Sequence, residues 1–157
     1  MPIRSPYLTS LLATLFILAS SLVQAGPELS TNAEGQALQG YDVVAYFNEG
    51  KPTQGNAQFS TTHGDATYQF VSAENLEAFI SDPERYLPQY GGYCAFGTSL
   101  GKKFDGDPMS WKIVDGKLYI NSGEKAHSLW LKDVPGKIQQ ADTNWPEIKS
   151  KTAAELN

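Results

Sequence analysis

The chain has 157 residues, 12 of them basic and 17 acidic; Arg4 is the only charged residue among the first 25, so residues 26–157 carry a formal −6. An acidic chain whose densest basic spot is Lys102-Lys103, followed at once by Asp105 and Asp107, argues against a nucleic-acid or anionic-lipid partner. The single cysteine, Cys94, excludes an internal disulfide scaffold and a four-cysteine zinc site, so stability has to come from packing its seven Phe, eight Tyr and three Trp.

Residues 1–25 have the three parts of a secretory signal. Arg4 is the positive start, and Leu11 to Val23 form an apolar stretch shorter than the roughly 20 residues that span a bilayer. Val23-Gln24-Ala25 offers a cleavage site before Gly26. The expectation is an exported protein, periplasmic or secreted, with no stable membrane insertion once the signal is removed. Residues 26–39 are small and polar and read as a flexible tether. Residues 40–147 suit one domain, and 148–157 a polar, frayed tail.

Tyr41 to Phe47 is strand-like, although Asp42 could instead cap a short helical turn. Ala57 to Thr61 and Thr67 to Ser72 alternate as half-buried strands do, and His63-Gly64-Asp65 between them predicts a hairpin. Ser72 then caps a helix that places Leu76, Phe79 and Ile80 on one face. Asp82-Pro83 opens a second short helix, ended by Leu87-Pro88. Gly91 to Gly101 is glycine-rich and gives no assignable element.

Trp111 to Val114 and Lys117 to Ile120 flank Asp115-Gly116, a pair that favours a type I′ hairpin turn. Ser122 is read as the cap of a helix through about Leu131, and a last helix runs from about Lys137 to Trp145-Pro146. These elements predict a small α+β domain with two antiparallel hairpins and several short helices.

Four patterns bear on chemistry. Gly97-Thr98-Ser99-Leu100-Gly101 matches the G-x-S-x-G pattern of serine hydrolases, but that chemistry needs a parallel sheet which this chain has no room to build. Asp105-Gly106-Asp107 resembles the start of a calcium loop without the spacing that completes it, and reads better as a turn. His63 and His127 are the two histidines, and either could join Cys94 around a soft metal such as copper. Cys94 itself lies in Tyr90-Gly91-Gly92-Tyr93-Cys94-Ala95-Phe96-Gly97. It is either a buried small hydrophobe or a functional thiol approached through the room its glycines leave, with Tyr90 and Tyr93 shaping the pocket.

The run Tyr68-Gln69-Phe70-Val71-Ser72-Ala73-Glu74-Asn75, then Phe79 and Asp82-Pro83-Glu84-Arg85-Tyr86, resembles the YHS domain family, small modules related to TRASH-type metal-binding domains. Gly40 to Phe47 looks like the opening segment of that family. Gln89 to Ala95, Trp111 to Asn121, Trp130 to Asp133 and Asn144-Trp145-Pro146 are similar to exported bacterial members. The resemblance implies the α+β fold. It also implies that the metal-binding branch would carry cysteines where this chain has Ala45, Val71 and Asn75, so the usual ligand set does not transfer. The expected function is therefore a non-catalytic binding protein, with copper or another soft metal at Cys94 as one ligand. A protein-interaction module with an inert Cys94 is the alternative, and a thiol-dependent redox protein is a third reading, weakened by the lack of a second cysteine.

Overall fold

The computed structural model describes residues 27–157, so the expected secretory signal lies outside the described residues. Asp42 caps the helical turn α1 (Ala45–Asn48), its Oδ1 accepting the N–H groups of Val44 and Ala45; of the two readings of this segment, helix prevails. The first hairpin pairs β1 (Asn56–His63) with β2 (Ala66–Phe70). Ser72 then starts α2 (Ala73–Ser81), its hydroxyl accepting from the Asn75 N–H. Phe79 enters the core from this helix, whereas Ile80, expected on the same face, is 58% exposed. Leu76 is half-buried, and the helix is too short to turn a wider stripe inward.

After α3 (Pro83–Tyr86) comes the segment that the sequence left unassigned. It holds a 3-10 turn at Gln89–Gly92 and then α4 (Ala95–Ser99). The carboxamide of Asn144 donates to the carbonyls of Thr98 and Ser99, satisfying the end of this helix. The second hairpin pairs β3 (Asp107–Val114) with β4 (Lys117–Asn121), and Asp115 and Gly116 both take positive φ, as the type I′ turn requires.

Helix α5 (Glu124–Trp130) begins from Gly123, not from Ser122 as expected. Gly123 has φ 135°, a conformation L side chains rarely adopt, so the chain turns into the helix there. Helix α6 (Val134–Ile148) starts three residues earlier than expected because the Asp133 carboxylate accepts the Gly136 N–H. The tail, expected to fray, holds a last helical turn. Thr152 and Glu155 form a capping box on α7 (Ala153–Leu156), and Lys102 Nζ donates to the Leu156 carbonyl. Residues 27–39, expected as a tether, also lie against the domain: Ala37 N–H donates to Thr67 O, and Ala37 and Leu38 are buried.

The result is a small α+β domain of two separate two-stranded antiparallel sheets and several short helices. Strand β4 divides its interior. Leu118 and Ile120 face a core with Val43, Tyr46, Phe70 and Phe79, while Tyr119 faces a second core with Tyr90, Ala95, Trp130 and Ala141. Period-two alternation then places Asn121 on the Tyr119 side of the strand, next to α4.

Candidate functional site

Cys94 stands at the residue before α4 and is 1% exposed. Its backbone is fixed on both sides: its N–H donates to Phe104 O (2.9 Å) and its carbonyl accepts from Thr98 N (2.9 Å). The sulfur accepts the Gly97 N–H at 3.4 Å, and the S–H donates to Asn121 Oδ1 at 3.6 Å. The same Oδ1 accepts the Phe96 N–H at 3.0 Å. A backbone N–H can only donate, so this bond orients the amide and turns Nδ2 toward His127 Nδ1, 3.2 Å away.

Nδ1 must then accept, which puts the imidazole proton of the neutral ring on Nε2. Burial, followed by the nearby Lys112, moves the His127 pKa below its ordinary value and favours that neutral form. The ring also stacks on Trp130 with centroids 6.1 Å apart.

The order of groups decides what this arrangement can do. Thiol proteases place an imidazole directly against the cysteine and an amide beyond it. Here the amide lies between thiol and imidazole. His127 therefore has no direct path to the thiol proton, and the geometry disfavours a Cys–His nucleophile.

Cys94 also lines a cleft of about 540 Å³ with Phe96, Leu100, Phe104, Leu129 and the segment Ser122 to Ala126. Its lining is mostly apolar, and Leu100 and Phe104 are 53% and 42% exposed. The expected pocket-shaping tyrosines point elsewhere. Tyr90 OH donates to Asp142 from within the second core, and Tyr93 OH donates to Leu29 O. His63 is also apart, with its ring 5.7 Å from Phe79 and lining a different cleft with Glu28 and Tyr68. Among the described residues, no three His, Cys, Asp or Glu side chains are grouped so as to hold a metal ion.

The other chemical motifs resolve as structure. Ser99 Oγ donates to Phe96 O within α4, without the strand–turn–helix setting of a hydrolase nucleophile. Asp105 accepts from Ser30 Oγ, and Asp107 accepts from Met109 N–H and Ser110 Oγ.

A second polar centre was not expected. The buried carboxylate of Asp42 accepts from Val44 N (2.8 Å), Ala45 N (3.1 Å), Val71 N (2.9 Å) and Asn75 Nδ2 (2.8 Å). Ala45, Val71 and Asn75 are the three positions discussed above for their lack of a cysteine. They come from α1, from the residue just after β2, and from α2, and all three donate to one carboxylate.

No protein-family model, curated protein or solved structure matches the chain.

Proposed function

We propose that the protein is a non-catalytic binding module of the YHS type, whose site is the apolar cleft over Cys94 and whose ligand is a compact apolar molecule. The observation that carries this reading is the cleft itself: a partly exposed apolar surface with the buried Cys94 in its lining, behind which Asn121 links the thiol to the half-buried His127. Ligand sites combine apolar walls with a few placed polar groups in this way. The convergence of Ala45, Val71 and Asn75 on Asp42 supports the family assignment, because it gathers positions that the resemblance assigns to one ligand cluster. Export, to the periplasm in a Gram-negative host, is part of the same reading and rests on residues 1–25.

The neutral fluorophore N-phenyl-1-naphthylamine tests the cleft. Saturable one-site enhancement is expected for the wild type, with at least tenfold weaker binding in Leu100→Asp and Phe104→Asp. Equal binding by wild type and both variants would remove the cleft from the account.

A second reading, a soft metal such as Cu(I) at Cys94, is favoured by one specific contact. Asn121 touches both Cys94 and His127, so displacement of one amide would leave a soft sulfur and an imidazole nitrogen as neighbours. On this reading, competition against a chromophoric Cu(I) chelator gives one equivalent bound, abolished by Cys94→Ser, weakened by His127→Gln and unchanged by His63→Gln. If wild type binds no more than Cys94→Ser, the metal reading fails.

A further inference from the structure

Lys103 is fully buried without a carboxylate in contact. Its ammonium donates to three backbone carbonyls: Pro27 O (2.5 Å), Lys149 O (2.7 Å) and Lys151 O (2.7 Å). It also lies over the rings of Tyr93 (4.8 Å) and Trp145 (5.2 Å). Lys149 and Lys151 follow the C-terminus of α6, where a cation is favourable. Pro27 belongs to the opposite end of the described chain. One side chain thus ties the two ends together. Burial pulls its pKa down, while Glu28 and Glu155, one near each end, pull it back up.

The backbone on either side of this residue belongs to the Cys94 site. Lys102 N donates to Gly97 O, Phe104 O accepts from Cys94 N, and the Phe104 ring lines the cleft. Residues 27–30 hold the other flank of Cys94. Ser30 N donates to Gly91 O (2.9 Å), Leu29 O accepts from Tyr93 OH (3.2 Å), and Ser30 Oγ donates to Asp105 (2.8 Å). Gly91 is the seat of this strap, since a Cβ there would lie 1.8 Å from Glu28 O. Residues before and after Cys94 are therefore gripped by the same four-residue segment.

We propose that residues 27–30 are a strap, latched by Lys103, that holds the Cys94 loop closed, so that releasing the strap exposes the thiol by local opening. Local opening of this kind is set by the few contacts at one element and does not require the whole domain to unfold. The proposal concerns access to Cys94 and stands whether or not the cleft takes a ligand.

The test is the rate at which Cys94 of the folded full-length chain reacts with 5,5′-dithiobis(2-nitrobenzoic acid), followed across low denaturant concentrations. Gly91→Ala displaces the strap by collision with Glu28, and Lys103→Met removes the latch while keeping apolar bulk. Gly116→Ala is the control, because it shares the strained positive φ (74°) but its Cβ would meet nothing within 4 Å. Expected are at least tenfold faster labelling in Gly91→Ala and in Lys103→Met, with little dependence on denaturant, and a rate within twofold of wild type in Gly116→Ala. If Lys103→Met does not fold, Gly91→Ala against Gly116→Ala decides the matter. The proposal is overturned if Gly91→Ala labels within twofold of the control, or if its faster labelling rises with denaturant as steeply as global unfolding does.

Discussion

Asp42 and Cys94 are both buried polar centres next to short helices, and they are held in opposite ways. Asp42 accepts four hydrogen bonds of 2.8–3.1 Å from three separate elements, and the YHS resemblance would put metal ligands at three of the positions around it. Cys94 has two long contacts, at 3.4 and 3.6 Å, and one side of its surroundings is an apolar cleft. A carboxylate surrounded by donors stabilises the fold by being left alone. A thiol held by weak bonds contributes little to stability and can be approached or displaced at small cost. On physical grounds, then, the Asp42 centre is architecture, and the Cys94 cleft is the place proposed above for a ligand.

The largest way to break that contrast is to remove the carboxylate. Asp42→Ala leaves four donors unpaired, three of them buried, and is expected to destabilise the domain by at least about 3 kcal/mol in urea denaturation. A loss below about 1 kcal/mol would show that the centre is not holding α1, β2 and α2 together. Asn121→Ala comes next. It unpairs the Phe96 N–H and loosens both Cys94 and His127, for an expected cost of about 1–3 kcal/mol and faster thiol labelling.

Cys94→Ala, by contrast, should cost only about 1 kcal/mol, since it deletes one small soft atom and two weak bonds. Equal losses at Asp42 and Cys94 would erase the distinction drawn between the two centres.

The smallest effect is a pH dependence. His127 has a folded pKa below its ordinary 6.5, so between those two values the unfolded chain binds more protons than the folded one. Its contribution is fully present above about 6.5 and is lost as pH falls through the lowered folded pKa. Chemical denaturation at pH 7.5 and pH 5 should show this loss in the wild type and a smaller one in His127→Gln. An unchanged pH difference in the variant would contradict the assignment.

Both hairpins were legible because strand periodicity and turn chemistry agreed, as at Asp115-Gly116 between Val114 and Lys117. Helix α2 was legible from Ser72. Helix α4 was hidden because Gly97, Thr98 and Ser99 are weak helix formers, and its end is completed by Asn144, a residue 45 or more positions away. The same distance problem hid Asn121, which lies 27 residues from Cys94 and is brought to it by the face that β4 turns toward α4. Thr152-x-x-Glu155 is a readable capping box within the polar tail, short enough that polarity alone suggests fraying. Asp42, set among Tyr41, Val43 and Val44, was readable as a local cap, but its bonds to Val71 and Asn75 exist only in the folded chain.

The most direct test of the account is a residue-resolved map of amide chemical-shift changes as N-phenyl-1-naphthylamine is titrated into the folded protein. The account predicts saturable changes concentrated at residues 94–104 and 122–129, with residues around Asp42 unmoved. Changes centred instead on the separate cleft formed by Val114, Val134, Ile138 and Asp142, or no saturable change anywhere, would contradict the claim that the Cys94 cleft is the binding site.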